Sequence, residues 1–275
     1  MSGLLAPAKL NLFLHVVGRR ADGYHLLETV FTFIDWCDHI DLAWRPPGVF
    51  ERLGELPGVP PEQDLCLRAA RLLARHVGAR AAGVAVTVHK VLPMGGGLGG
   101  GSSDAATVLL GLNRLWRLGC SHDELAALGL SLGADVPVFV HGESAFATGV
   151  GEQLQAIAVP PAWYLVVVPP VQVPTAVAFA AADLTRDTPP VKMADFSTGF
   201  GHNDLESAVA ARYPEVREAL QVLRQHADAR MTGSGCCVFA AFPDAAAARA
   251  VQQALPAHWQ SRIARGLQEH PLKSW

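Results

Sequence analysis

Charge is scarce in this chain of 275 residues: Asp, Glu, Lys and Arg make up 17% of it, against about 25% in an average soluble protein. The 22 basic and 25 acidic side chains leave a net charge of −3 with no block of one sign. That removes the electrostatic footprint of a nucleic-acid or anionic-membrane binder, so any polyanion must be small and locally recognised. Half the residues are hydrophobic, which excludes disorder and implies a substantial core. The chain also lacks a CxxC pair and any Cys/His cluster at zinc-ligand spacing. Cys37, Cys66, Cys120, Cys236 and Cys237 are odd in number and irregularly placed, and they read as reduced thiols of a cytoplasmic protein. No run approaches the roughly 18 apolar residues of a membrane span. The AxA-like triplet Ala6–Ala8 has no basic residue ahead of it, and Lys9 and Asn11 interrupt the apolar stretch, so no signal peptide is expected. No internal repeat is present.

The length accommodates two small lobes sharing a cleft. Branched and aromatic residues on both sides of GRRADG (18–23) predict two strands joined by a loop. Leu65, Ala69, Leu72, Leu73 and His76 fall on one face of a predicted helix over 65–77. VAVTVHKVLP (84–93) reads as a strand, and beyond the glycines Ala105, Val108, Leu109, Leu112, Leu115 and Trp116 predict a buried helix capped by Ser103 or Asp104. Ser121 and Glu124 form a capping box for the next helix, after which Asp135 sits at a junction. Glycines at 149–151 and the Pro160-Pro161 pair place the lobe boundary near 155, giving lobes 1–155 and 156–275. In the second lobe, helices are expected over 176–183, 214–226 and 245–255, with a strand over 236–242, an α+β pattern.

Six glycines occupy the seven positions 95–101 around Leu98. Ordering such a segment is entropically costly unless the backbone must adopt positive φ or approach something closely. Between a strand and a helix N-terminus it directs main-chain N–H groups and the Ser102 and Ser103 hydroxyls at one point, an anion site best suited to phosphates. Gly95, Gly97 and Gly100 satisfy GxGxxG with Asp123 downstream, yet a dinucleotide fingerprint normally follows the first strand rather than residue 90. The Walker frame fails because Ser102 stands where its lysine belongs. A purely flexible connector is disfavoured by the strong patterning of both flanks.

PMGGGLGGGSSDAA (93–106) resembles the ATP loop of the GHMP small-molecule kinases. AKLNLFLHVVGRRADGYHLLETVF near the start, SLGADVPVF at Asp135 and MTGSGCCVF at Met231 are similar to the branch of that family acting on a cytidyl-diphosphate-linked alcohol. The likeness runs from about Ala6 to Gly266. It implies an α+β, two-lobed fold with a ribosomal-S5-domain-2-like N-terminal lobe and a ferredoxin-like C-terminal lobe. It also implies ATP-dependent phosphorylation of the 2-hydroxyl of 4-diphosphocytidyl-2-C-methylerythritol in non-mevalonate isoprenoid synthesis, by a monomer or weak homodimer.

The resemblance assigns ATP to Pro93, Met94, Gly95, Gly96, Gly97, Leu98, Gly99, Gly100, Gly101, Ser102 and Ser103, with Asp64 and Lys90. Asp64 stands where the family commonly has asparagine, and Lys90 by itself reads as a solvent-facing strand lysine. Asp135 becomes the base and Lys9 its electrostatic partner. A lysine on an apolar strand needs an anionic neighbour or an escape to water. Asn11 and Thr175 go to the substrate pocket, Tyr24 and Phe179 to stacking on cytosine, and His25 to hydrogen bonds with the base. Gly233 and Gly235 match a third glycine segment, which alone reads equally as a tight strand connection. Magnesium is expected to offset the phosphate charge, with Ser102 as candidate ligand. Two rival readings are a kinase for another small alcohol and a catalytically inactive nucleotide sensor.

Overall fold

A computed structural model describes residues 1–191, 196 and 199–275. Strands β1 (Leu4–Arg19) and β2 (His25–Arg45) form a long antiparallel hairpin. There follow β3 (Phe50–Leu53), α1 (Leu65–Val77), β4 (Gly83–His89), α2 (Gly100–Leu115), α3 (His122–Leu130), α4 (Val136–His141), β5 (Ala145–Thr148) and β6 (Gln153–Ala156). The remainder supplies β7 (Trp163–Val168), α5 (Thr175–Phe179), α6 (Asp204–Arg212), α7 (Pro214–Leu223), β8 (Ala229–Met231), β9 (Val238–Phe242), α8 (Ala245–Ala254) and β10 (Gln260–Leu267). No helix among the described residues is long and apolar enough to cross a membrane.

The length of β2 organises the molecule. One edge pairs with β1, while the other pairs in turn with β5 at Thr29–Phe31, β10 at Phe33–Ile34 and β4 at His39–Arg45. The second half places its strands in the order β10-β7-β9-β8, all antiparallel, with helices between β7 and β8 and between β9 and β10. That is the βαββαβ order of a ferredoxin-like layer. β10 bonds both β7 and β2, so the lobe division we propose, 1–155 against 156–275, is crossed by a continuous sheet. Two apolar cores result. One holds α1 to α4 against Leu4, Ala6, Phe31, Phe33, Ile40 and Leu42, and the other holds β7, β9 and α6 to α8 against Leu10 to Val16 of β1.

Several boundaries differ from the sequence reading. α2 begins at Gly100 because Gly99, at φ +71, takes the left-handed conformation in the capping position; Ser103 and Asp104 therefore lie inside the helix rather than capping it. α1 buries Cys66, Ala69, Ala70, Leu73 and Val77 rather than the face through Leu72 and His76. α5 stops at Phe179, and α6 and β10 were not anticipated. The capping box at Ser121 and Glu124 is formed as expected.

Candidate active site

The glycine segments of the two halves abut one another on the wall of one cavity of roughly 1080 Å³. Gly95, Gly97 and Gly99 all have positive φ, near +74, +81 and +71. Gly97 is also held so closely that a Cβ there would lie 2.1 Å from the Thr232 carbonyl oxygen. The Cys237 N–H donates to the Gly96 carbonyl at 3.1 Å, and the Lys9 N–H to the Leu98 carbonyl at 3.0 Å. The loop is thus pinned by β1 on one side and by TGSG (232–235) on the other. Gly233 and Gly235 form the tight connection between β8 and β9, and that same turn clasps the loop.

Lys9 and Asn11, two residues apart on β1, share one face of the strand. The Lys9 side chain is only 3% exposed, which rules out snorkelling, and its ammonium lies 3.4 Å from the Asp135 carboxylate. The ammonium also donates to Asn11 Oδ1 at 2.5 Å and sits 5.3 Å from the centre of the Phe31 ring. Asn11 is fixed in turn: its amide donates to Thr29 Oγ1 at 2.9 Å, and its main-chain N–H to Thr232 Oγ1 at 3.0 Å. Asp135 precedes α4, its side chain 34% exposed on the cavity wall. A buried, oriented cation beside an accessible carboxylate is suited to taking a proton from a bound hydroxyl while balancing nearby negative charge.

Lys90 does not face solvent. It is paired with Asp38 and, at 2.9 Å, with Asp104, both buried. Asp38 further accepts the Val91 and Leu92 N–H groups at 2.5 and 2.8 Å. Burial opposes the charge on Lys90, but its two carboxylates outweigh this and raise its pKa. Burial also pushes Asp104 up to about 7 against the pull of Lys90. This trio ties β2, the turn after β4 and α2 together directly behind the glycine loop. Asp64 is equally committed: it caps α1 through the Cys66 and Leu67 N–H groups and pairs with Arg52 at 3.0 Å. Its carboxylate carries no N–H donor of the kind an asparagine would offer a base.

Beyond the β1–β2 turn, Tyr24 is 65% exposed on the cavity wall. His25 stacks on Phe179 with ring centroids 5.1 Å apart and 27° between planes. Thr175 is the first residue of α5, after Pro174 rather than in the capping position itself, and its hydroxyl lies 2.9 Å from that of Ser234. Tyr24, His25, Phe179 and Thr175 line the same cavity as Lys9, Asp135 and the glycine loop.

Residues 64–143 match the GHMP kinases N terminal domain and residues 189–261 the GHMP kinases C terminal domain. A protein of Thiobacillus denitrificans named 4-diphosphocytidyl-2-C-methyl-D-erythritol kinase is 62% identical over 97% of this chain and 96% of its own. The chain belongs to the 4-diphosphocytidyl-2-C-methyl-D-erythritol kinase family. Its namesake from Aromatoleum aromaticum is 54% identical over 98% of this chain and 95% of its own. A crystal structure of 4-(cytidine 5'-diphospho)-2C-methyl-D-erythritol kinase superposes with a TM-score of 0.84 at 34% identity, covering 97% of this chain and 99% of that one. A mevalonate kinase structure, at 15% identity and a TM-score of 0.72, shares the fold over 97% of this chain and 99% of its own. The α+β architecture is therefore that of a GHMP kinase, an ATP-dependent small-molecule kinase.

Within this kinase the cavity gathers Lys9, Asn11, Tyr24, His25, Asp64, Lys90, positions 93–102, Asp135, Thr175 and Phe179. Ser103 is the exception. It is fully buried in the first turn of α2 and off the cavity wall, its N–H donated to the Gly99 carbonyl and its hydroxyl without a partner. The sequence reading missed Asp38, Asp104, Arg52 and Arg186. Asp38 is one of three aspartates in DWCDHID (35–41), and the sequence does not mark it as the buried one. For a metal, Ser102 lies on the cavity wall, and among the described residues no group of three or more His, Cys, Asp or Glu side chains is placed to hold an ion.

Proposed function

We propose that this chain transfers the terminal phosphoryl group of ATP to the 2-hydroxyl of 4-diphosphocytidyl-2-C-methylerythritol, a step of non-mevalonate isoprenoid synthesis. The single observation that carries the reading is the shared cavity, whose wall holds a clasped glycine loop, the Lys9–Asp135 pair and an aromatic stack. Main-chain N–H groups at 95–101 hold the polyphosphate. Asp135 accepts the proton of the attacking hydroxyl, and Lys9 counters the negative charge that accumulates beside it; positioning and electrostatics account for most of such catalysis. Tyr24 and Phe179 sandwich the pyrimidine, which His25 reads at its edge. Magnesium, with Ser102 as its protein ligand, would neutralise charge on the β and γ phosphates. We place the reaction in the cytoplasm, a setting in keeping with five free cysteines, and carried out by a monomer or weak homodimer. ADP release that depends on the cytidyl alcohol tests the proposal. ATP binding without such turnover would favour a nucleotide sensor, and equal turnover of mevalonate or homoserine would favour a different acceptor.

A further inference from the structure

Arg186 lies outside the cavity wall but touches a residue on it. Its Nε–H donates to His25 Nε2 at 3.2 Å. The rest of the guanidinium is held by carbonyls of α5 and the turn after it: Nη1 donates to Leu184 at 3.0 Å, and Nη2 to Ala181 at 2.7 Å and Phe179 at 3.3 Å. The fork therefore cannot rotate without giving up three further hydrogen bonds. An arginine side chain has no acceptor and does not lose its proton. His25 Nε2 must consequently be the bare, accepting nitrogen, and a neutral His25 must carry its proton on Nδ1. An imidazolium would set an N–H against an N–H and a cation against a cation. Burial, Arg186 and Arg19 all lower the His25 pKa, in keeping with a neutral ring. The stack on Phe179 fixes the ring plane, leaving Nδ1–H as the ring nitrogen available to a ligand.

We propose that Arg186 is a positioning residue that locks His25 in the Nδ1–H tautomer and thereby selects cytosine over uracil. This rests on the reading of His25 as the residue facing the base. Cytosine presents acceptors at N3 and O2, which a Nδ1–H donor satisfies. Uracil presents an N3–H, which would meet that donor head-on. The opposite tautomer, the one favoured by free neutral imidazole side chains in water, would offer a bare Nδ1 and lose the distinction. Leaving a buried donor unpaired is what makes such discrimination steep.

The test reads the tautomer directly. Protein carrying ¹⁵N-histidine gives imidazole nitrogen shifts that separate a protonated from a bare nitrogen, with His25→Asn supplying the assignment. Wild type is expected to show Nδ1 protonated and Nε2 bare. Arg186→Met should move His25 toward Nε2–H, raise KM for the cytidyl alcohol about 10-fold with kcat within about 2-fold, and narrow its preference over the uridyl counterpart about 10-fold. Arg186→Lys, which keeps a donor-only cation, should restore the Nδ1–H form in part and the preference with it. A wild-type His25 protonated on Nε2 would overturn the proposal. So would an Arg186→Met protein with an unchanged tautomer that loses cytidyl and uridyl turnover alike. If wild type phosphorylates neither pyrimidine, the proposed function fails, and the tautomer measurement then judges the Arg186–His25 assignment alone.

Discussion

Gly97 and Gly235 meet main chain to main chain: a Cβ on Gly235 would lie 2.0 Å from the Gly97 nitrogen. No side chain can yield there, because the obstructing atoms are backbone. Gly235→Ala must therefore push TGSG away from the glycine loop. A loss of about 1 to 3 kcal/mol of stability is expected from such overpacking, together with weakened binding of a non-hydrolysable ATP analogue. Urea unfolding and titration calorimetry check both, and a variant matching wild type in both would mean that the clasp is not tight.

Lys90 neutralises two buried carboxylates. Replacing it in Lys90→Met leaves Asp38 and Asp104 without their cation, at a cost of about 3 to 5 kcal/mol. Adding Asp104→Asn to the same chain should recover part of that loss, since it removes one of the two buried acids that the cation served. The comparison of denaturation midpoints decides: no recovery in the double variant would show that the three groups do not act as one unit.

Tyr24 and Phe179 are the faces we propose for the pyrimidine. Alanine at either position should raise KM for the cytidyl alcohol about 5- to 100-fold, the range set by base stacking, while KM for ATP stays within about 2-fold. Steady-state kinetics varying each substrate in turn would show it. A rise in the ATP value instead would place the aromatic residues at the nucleotide end.

His270 is buried, its Nδ1 accepts the Leu272 N–H at 3.0 Å, and burial lowers its pKa from 6.5 to about 4. Between those values the unfolded chain binds the proton and the folded chain does not. Stability from this group is thus full above about 6.5 and declines as pH falls toward 4, by up to about 3 kcal/mol. His270→Asn, which keeps an acceptor for Leu272, should flatten the acid limb of stability against pH. An unchanged slope between pH 6.5 and 4 would contradict the assignment.

What the sequence made legible follows from which signals are local. The β4–loop–α2 junction, the capping box at Ser121 and the strand character around Lys9 each depend on neighbouring residues, and each appeared at about the expected place. Lys9 and Asp135, by contrast, come together through the pairing of β1 with β2 and the packing of α4 on α2, and only the family likeness joined them beforehand. Ser103 was misplaced by a small local error: a left-handed Gly99 caps α2 early and turns the hydroxyl inward. Arg186 carried no signal at all, because its role lies in a single contact with a residue 161 positions away.

The Lys9–Asp135 pair bears the proposed chemistry, and ADP release with the cytidyl alcohol in Asp135→Asn and Lys9→Met proteins probes it without intermediary. Each substitution should lower kcat at least ~10²-fold while the ATP analogue still binds and the fold persists. Variants that turn over at the wild-type rate would show that neither side chain takes part in the transfer.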